Sequence, residues 1–465
     1  MAGSRAASLG IGALLALIAL LAPSARAGSG FEPSYVAGTR DAAGRFMGGT
    51  ELRVLLADRG RLYAGIGYWM DRPGPEGPQG AAILALDAPG VAWRVEHIFD
   101  DRLPNGRPRD FAVSALAAVT FATDGGGALL SAPVSLLIAS TWDHTGATRV
   151  FTRDDSGAWS ATLLARDAPA PDFLPQIRAF ATHRDRATGV DRVFAGNDPR
   201  GVFSGAYDAT LPGRVRWSAA PELDIAQIST AGFSGLGGRL RVSGFAECNG
   251  ALYAAVGQQI YERIDGAEPR WRLLYTNPRP GNSETGLRGL TAIADPAGAG
   301  QVLLAAIEGS AARILRIDPR AGTGTTELDL MSFLPARWQM ATGYVIAAYN
   351  DMTRIPGPGG DRLLMGIEAF IPRSAAAAPG HAMVDVGYGR LEAGAWYLLR
   401  HPDGRYELRQ VPDAAARVAV RTIAASPFAG DRALYFGGYD ANKAPAHDTA
   451  WVVRGDAAAA LGSAP

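Results

Sequence analysis

The chain has 465 residues, and its 45 lysine and arginine residues balance 45 aspartate and glutamate residues, so the formal net charge is zero. A neutral chain argues against nucleic acid and against an anionic membrane as electrostatic partners. The single cysteine, Cys248, excludes an internal disulfide, and its place in an apolar strand pattern predicts a buried, unreactive thiol.

Residues 1–27 have the pattern of a secretory signal peptide. Arg5 precedes an apolar run from Leu9 to Leu21, and the small-residue site Ala25-Arg26-Ala27 follows. The run is about 13 residues long, short of the about 20 that span a bilayer, and no later stretch is apolar enough to span one. The sequence therefore predicts cleavage after Ala27 and a secreted or periplasmic protein with a net charge of about −2, since Arg5 and Arg26 are removed.

The stretch from Arg241 to Asn277 predicts four short strands. Apolar runs rich in Val, Ile, Leu and Tyr alternate with turn signals, among them Asn249-Gly250 and Asp265-Gly266. A single four-stranded sheet cannot bury both of its faces, so this unit predicts copies of itself stacked alongside.

Similar units can be placed along the rest of the chain. Trp93, Trp159, Trp217 and Trp271 are predicted to open the fourth strand of their units, at intervals of 54 to 66 residues. The fold expected is an all-β, seven-bladed β-propeller of four-stranded antiparallel blades, one domain over residues 28–456, with a disordered tail at 457–465. The predicted blades cover residues 49–100, 112–166, 176–220, 240–278, 286–331, 342–412 and 418–455.

The seventh unit contains only three clear strands, whereas a propeller must close its ring or leave sheet edges exposed. Residues 31–38, FEPSYVAG, precede the first unit and have no other evident role. They are predicted to pair in the last blade and close the ring.

Acidic residues recur at the end of the second strand, and arginines recur at the start of the first strand. Both positions are expected at one mouth of the central channel. The fourth unit offers Gln258 in place of an acid, and Arg241 is a less certain fifth arginine. The candidate ligand-binding residues are Asp71, Asp143, Asp198, Glu308, Glu368, Asp440, Arg53, Arg178, Arg288 and Arg421.

Two interpretations of this ring remain open. Each acid can pair with an arginine of a neighbouring blade or cap a turn, as a purely structural feature. Alternatively, the ring is a polar funnel for a sugar, a carboxylate ligand or a hydrated cation. No cofactor motif is present; calcium is a candidate because carboxylates are abundant, although no EF-hand loop occurs.

Three neighbouring groups add detail. Tyr349-Asn350-Asp351 is predicted to lie on the face opposite the acids and to cap a turn. Trp142-Asp143-His144 places an imidazole beside a ring carboxylate, although an exposed loop histidine is the simpler interpretation. Tyr68-Trp69 and Tyr439-Asp440 place aromatic rings near the same mouth, where they could stack on a sugar or line the rim.

The turn from Asp154 to Trp159, DDSGAW, resembles the Asp-box hairpin, S-x-D-x-G-x-x-W, of sialidase-like propellers, and His401 to Tyr406 is a similar turn. The chain therefore resembles the β-propeller superfamily. An Asp-box is a folding feature, so the resemblance implies no activity. A sialidase would need an FRIP-like arginine motif and six blades, and neither is found; the repeated Gly-His and Trp-Asp pairs of WD40 proteins are absent too.

The function expected is that of an exported, monomeric binder of a polar ligand at the acid- and arginine-lined mouth, with a saccharide or a cell-envelope component as the first candidate. One alternative is a glycan-cleaving hydrolase or lyase that uses carboxylates and Arg or His of the same ring. Another is a protein-interaction scaffold that uses the Pro- and Gly-rich loops.

Overall fold

The computed structural model describes residues 30–69, 74–168, 175–228, 240–278, 286–349, 352–357, 359–386, 389–412, 417–439 and 447–462. The predicted signal peptide and the candidate residues Asp71 and Asp440 lie outside these ranges. Strands make up 56% and helices 4% of the structure, so the all-β prediction is confirmed. Within them, neither of the two helices is long and apolar enough to cross a membrane.

The first half of the chain forms an N-terminal strand, a small hairpin and three groups of antiparallel strands, called sheets 1 to 3 here; the pair Gly67–Ala112 also bridges sheets 1 and 2. The N-terminal elements are β1 (Phe31–Val36), β2 (Thr39–Arg40) and β3 (Phe46–Met47). Sheet 1 contains β4 (Glu51–Asp58), β5 (Arg61–Gly67), β6 (Ala82–Leu86) and β7 (Arg94–Ile98). Sheet 2 contains β8 (Asp110–Thr123), β9 (Leu129–Asp143), β10 (Ala147–Arg153) and β11 (Trp159–Arg166). Sheet 3 contains β12 (Gln176–Arg184), β13 (Asp191–Asp198), β14 (Gly201–Tyr207) and β15 (Val215–Trp217), with β16 (Leu223–Asp224) beside β14.

The second half continues the same order. Sheet 4 contains β17 (Val242–Cys248), β18 (Ala251–Val256), β19 (Gln259–Ile264) and β20 (Arg270–Thr276). Sheet 5 contains β21 (Gly286–Ala294), β22 (Gln301–Glu308), β23 (Arg313–Asp318) and β24 (Thr323–Asp329), and helix α1 (Leu330–Trp338) follows.

Sheet 6 contains β25 (Tyr344–Ala347), β26 (Thr353–Ile355), β27 (Arg362–Phe370), β28 (Met383–Val386), β29 (Gly389–Glu392), β30 (Trp396–Arg400) and β31 (Tyr406–Gln410). Sheet 7 contains β32 (Ala419–Ala425), β33 (Leu434–Tyr439) and β34 (Trp451–Gly455), and helix α2 (Ala457–Leu461) ends the described chain.

Sheet 4 shows why these residues form hairpins. Asn249 and Gly250 form the two-residue turn between β17 and β18, with φ angles of 50° and 76°. A two-residue turn that fits the twist of its strands needs a positive φ at both positions, which Asn and Gly adopt readily. The predicted turn is confirmed. Cys248, the residue before it, is buried, and burial raises the pKa of its thiol to about 11, as an unreactive thiol requires.

The hydrophobic core is divided into layers between consecutive sheets. Tyr253 and Ile260 of sheet 4 pack against Leu290 and Leu303 of sheet 5. An equivalent layer joins sheet 7 to sheet 1, where Leu52, Leu62 and Leu84 meet Tyr435 and Val452. Each fully buried aliphatic side chain contributes about 1.5–3 kcal/mol, so these layers hold the sheets face to face.

Strand β1 lies far from its pairing partner in sequence. It runs antiparallel to β34, with Phe31 opposite Gly455 and Val36 opposite Trp451. The predicted segment 31–38 is therefore found beside the third strand of sheet 7.

Several details differ from the sequence expectation. Trp217 ends β15 rather than opening the fourth strand of its sheet, whereas Trp159 opens β11 as predicted. Residues Ala457–Leu461, expected in a disordered tail, form α2; Leu461 is buried and the Tyr397 hydroxyl donates to the Ala460 carbonyl. The Asp-box-like turn is present, since Asp154 Oδ1 accepts hydrogen bonds from Ser156 and Ala158 backbone nitrogens.

Candidate functional site

The inner strands of the sheets carry bulges that aim arginines at a common region. The register of the first strand shifts by one residue at Arg53 in β4, at Arg178 in β12 and at Arg421 in β32. A bulge inserts an unpaired residue into a strand and redirects its side chain. Because the bulge occurs at the same place in sheets 1, 3 and 7, the three guanidinium groups lie at equivalent positions of their first strands.

Three predicted carboxylates lie at the ends of second strands and pair with predicted arginines. Arg178 Nε lies 2.6 Å from Asp198 Oδ2, within sheet 3. Arg288 Nε donates to Glu308 Oε2 within sheet 5. Arg421 Nη2 of sheet 7 lies 2.7 Å from Glu368 Oε2 of sheet 6. The other oxygen of Glu368, Oε1, accepts a hydrogen bond from the Tyr439 hydroxyl at 3.0 Å.

Asp143 has a different environment. Its carboxylate accepts from the backbone nitrogen and hydroxyl of Thr145 and pairs with Arg149, and Arg109 lies at 3.6 Å. It therefore caps the turn between β9 and β10. The preceding Trp142, in contrast, reaches Arg53, whose guanidinium carbon lies 4.2 Å from the centre of the indole ring.

Tyr349 lies at the centre of the arginines, and the sequence prediction for it is wrong. The guanidinium carbons of Arg421, Arg288 and Arg53 lie 3.9, 4.9 and 5.7 Å from its ring centre. Arg53 Nη2 also donates to the Tyr349 hydroxyl at 3.3 Å. These three arginines come from sheets 7, 5 and 1, so the ring joins parts of the chain that are hundreds of residues apart.

A break in the strand explains why Tyr349 does not lie on the face predicted from its sequence. Strand β25 ends at Ala347, and Ala348 takes a left-handed φ of 52°, while its nitrogen donates to the Gly366 carbonyl. A non-glycine residue in this conformation costs about 1–3 kcal/mol and tends to occur where function requires it. The resulting turn directs Tyr349 toward the arginines.

Gly366 allows sheets 6 and 7 to meet closely beside this turn. A Cβ atom on Gly366 would lie 2.1 Å from the Val420 carbonyl oxygen, next to Arg421. Any larger residue would push β32 away. Gly366, two positions before Glu368, is therefore the sequence feature that indicates that β27 packs closely against β32.

The central cluster is defined here as Tyr349 and Tyr439, the carboxylates of Glu51, Asp198, Glu308 and Glu368, and the guanidiniums of Arg53, Arg178, Arg241, Arg288 and Arg421. Most of these charged side chains are buried. Five guanidiniums face four carboxylates, so the cluster carries an excess of positive charge. Arg241, the less certain of the predicted arginines, interacts electrostatically with Arg178, Arg288, Glu308 and Asp198.

The excess positive charge shifts the pKa values of the cluster. Burial by itself would raise the pKa of Tyr349, but Arg53, Arg421 and Arg178 outweigh it and lower the pKa to about 7. Burial, together with Arg178 and Arg288, lowers the pKa of Arg241 to about 9. Burial raises the pKa of Glu368 despite the nearby Arg421 guanidinium, so one site combines an acidic phenol with a weakly acidic carboxyl group.

Several buried polar atoms of the cluster lack a hydrogen-bond partner within the described part of the chain. They include the guanidinium nitrogens Arg178 Nη1, Arg241 Nε and Arg421 Nε and the carboxylate oxygen Glu308 Oε1. Buried polar groups are almost always paired, so an unpaired set at one place is unusual. Guanidinium donors suit a carboxylate or phosphate, and a free carboxylate oxygen suits a hydroxyl.

A metal site has less support. No group of three or more His, Cys, Asp or Glu side chains within the described ranges is arranged to hold an ion. The carboxylates of the central cluster are each close to an arginine, which competes with a cation.

The sequence matches no known family profile and no curated protein sequence. Solved structures do resemble it. An ancestral GH74 enzyme aligns over 91% of this chain with 12% identity and a TM-score of 0.50, and the chain spans 51% of that enzyme's length. The six-bladed β-propeller lectin of Aleuria aurantia aligns over 79% of this chain and 98% of its own, with 11% identity and a TM-score of 0.37. The structural likeness to the GH74 enzyme shows that this chain has a fold of the β-propeller type.

Proposed function

We propose that the central cluster binds a saccharide that carries a carboxylate. The observation that supports this most directly is a set of buried guanidinium nitrogens, on Arg178, Arg241 and Arg421, that have no hydrogen-bond partner among the described residues. A ligand carboxylate would supply the missing acceptors, and charge-assisted hydrogen bonds of this kind are the strong ones. Sugar hydroxyls would supply a donor for Glu308 Oε1. The choice of an acidic sugar rests on this combination of donors and acceptors.

Arg241 gives the sharpest test because its side chain makes no ion pair within the described residues. The Arg241→Ala variant should fold normally and bind galacturonate or glucuronate about tenfold or more weakly, since a hydrogen bond to a charged group contributes about 1.5–3 kcal/mol. Calorimetric titration of both sugars, with galactose and glucose as neutral comparisons, measures the loss.

The matched control is Arg216→Ala. Arg216 is 67% exposed and pairs with Asp208, away from the cluster, so its removal should leave affinity unchanged. Equal binding by wild type and Arg241→Ala would contradict the proposed contact. Failure of every acidic sugar to bind wild type would contradict the proposed function.

An enzyme is the second candidate, a hydrolase or lyase acting on an acidic glycan. Tyr349 favours it, because a phenol whose pKa is lowered to about 7 can accept a proton near neutral pH. Glu368, whose pKa is raised by burial, is suited to donate one. New reducing ends, or the absorbance of unsaturated sugars, would distinguish cleavage from binding. If no acidic glycan binds or is cleaved, the protein-interaction scaffold becomes the preferred alternative.

We also propose that the seven sheets form one closed ring over residues 28–456, with β1 as the closing strand of the seventh blade. The β1–β34 pairing and the apolar layer between sheets 7 and 1 support closure. The central cluster supports it too, because side chains of sheets 1, 3, 5, 6 and 7 meet there as they would around an axis.

Export after cleavage at Ala27 is part of the proposal. Expression with residues 1–27 present, followed by N-terminal sequencing of the protein outside the cytoplasm, should find Gly28 as the first residue. A chain that stays inside the cell with Met1 intact would contradict it.

A further inference from the structure

Trp69 is exposed beside the central cluster. Among the described residues, six large apolar side chains are exposed, and Trp69 is the aromatic one, with 40% of its surface accessible. It follows the end of β5, the second strand of sheet 1, and so lies at the same edge as Glu308 and Glu368. An exposed aromatic ring beside a polar site is a common feature of ligand-binding surfaces.

The indole is held in place from below. Its ring centre lies 5.1 Å from that of Trp142, and the buried Thr50 hydroxyl donates to the Trp69 carbonyl at 2.6 Å. Trp142 stacks at 5.4 Å on Phe111, which in turn stacks at 4.4 Å on His144. A ring fixed by its neighbours loses little entropy when a ligand covers it.

A short series of contacts connects this ring to Tyr349. Trp142 contacts both Trp69 and the Arg53 guanidinium, and Arg53 donates to the Tyr349 hydroxyl. One ligand could therefore have its charged end among the arginines and its next unit over Trp69. The exposed face of Trp69, supported by the buried rings of Trp142 and Phe111, is apolar and suits the C–H face of a sugar better than a second carboxylate.

We infer that Trp69 is a stacking platform for the second sugar ring of an acidic oligosaccharide whose carboxylate lies in the central cluster. This inference rests on the proposed function. It adds that the protein recognises a chain of sugars rather than a free sugar acid, and that Trp69 provides the preference for length.

Comparing a monosaccharide acid with an oligosaccharide of the same acid distinguishes the Trp69 platform from the arginine site. Wild type should bind trigalacturonate about five- to tenfold more tightly than galacturonate, and a hyaluronan tetrasaccharide similarly more tightly than glucuronate. In Trp69→Ala this ratio should fall to about one while monosaccharide affinity stays constant. Trp69→Phe should keep most of the ratio, and Leu163→Ala, which removes another exposed apolar side chain on outer strand β11, should change nothing.

The outcomes are distinct. An unchanged ratio in Trp69→Ala, or an equal loss for monosaccharide and oligosaccharide, would overturn the platform while leaving the arginine site intact. Binding of neither acid in wild type would instead overturn the proposed function. Quenching of tryptophan fluorescence by trigalacturonate but not by galacturonate, absent in Trp69→Phe, would support the platform independently.

Discussion

Wild-type protein is expected to bind galacturonate more weakly as pH rises above about 7, whereas the Tyr349→Phe variant should bind it equally at about pH 6 and about pH 8.5. The pKa of Tyr349 is lowered to about 7 because Arg53, Arg421 and Arg178 stabilise its phenolate against the opposing effect of burial. A phenolate and a ligand carboxylate compete for the same guanidiniums. Binding of the acid must therefore raise the pKa of Tyr349, and binding is coupled to proton uptake.

The direction and the size of the change in galacturonate affinity with pH follow from the linkage between ligand binding and proton binding. Below pH 7 the phenol is neutral and affinity is at its maximum; above pH 7 affinity should fall by up to about tenfold for each pH unit. Glu51, Arg288 and Arg241 also face this site, and Arg241, whose pKa is lowered to about 9, is expected to weaken binding further only at higher pH. Removing the phenolate should make Tyr349→Phe the stronger binder at about pH 8.5.

Two measurements check this prediction. Calorimetry in buffers of different ionisation enthalpy reports proton uptake, and tyrosinate absorbance should show one residue titrating near pH 7 in wild type alone. Tyr275→Phe is the control, because burial raises the pKa of Tyr275 and moves it away from this range. Identical pH profiles for wild type and Tyr349→Phe would contradict the proposed competition between the Tyr349 phenolate and the ligand carboxylate for the arginines.

The same shift affects stability. An unfolded tyrosine has a pKa of about 10, so between about pH 7 and pH 10 the unfolded chain binds more protons at this residue than the folded chain does. Tyr349 therefore adds to the free energy of unfolding as pH rises through this interval. In Tyr349→Phe that increase should be absent, which denaturant unfolding at several pH values can detect.

The parts of the site that repeat could be predicted from the sequence. Once strands are assigned, antiparallel pairing places the start of the first strand next to the end of the second. Arg178 with Asp198 and Arg288 with Glu308 follow from this alone. This close pairing also fits a purely structural role for the ring. The evidence for a ligand is instead the set of guanidinium nitrogens that have no partner among the described residues, which no sequence pattern predicts.

The parts that break the repeat could not be predicted. Tyr349 depends on one left-handed residue, Ala348, and no turn residue such as Gly or Asn marks that position. Asp143 fits the positional pattern, yet local partners Thr145 and Arg149 capture it. The sequence predicts Trp69 to be an aromatic residue near the mouth, but its contact with Trp142 depends on how sheets 1 and 2 lie against each other.

Deleting residues 28–40 is expected to abolish the cooperative unfolding transition. Strand β1 covers the edge of β34, and without it a row of backbone groups in sheet 7 would be unpaired. Tyr35 of β1 is also buried in the layer between sheets 7 and 1, and its hydroxyl donates to the Gly48 carbonyl at 2.7 Å. Loss of β1 therefore weakens both the sheet edge and the contact that joins the last sheet to the first.

Point variants keep this prediction testable if the deletion does not fold. Tyr35→Ala should lower the free energy of unfolding by about 3–5 kcal/mol, because it empties a core position. Tyr35→Phe should lower it by about 1 kcal/mol, the contribution of one hydrogen bond. Val36→Ala on the same strand is the control, since Val36 is 48% exposed and should change stability by no more than about 0.5 kcal/mol. Denaturant unfolding measures the stability of all three variants. A deleted chain with the wild-type midpoint, or a Tyr35→Ala variant as stable as wild type, would contradict the proposed role of β1 as the closing strand.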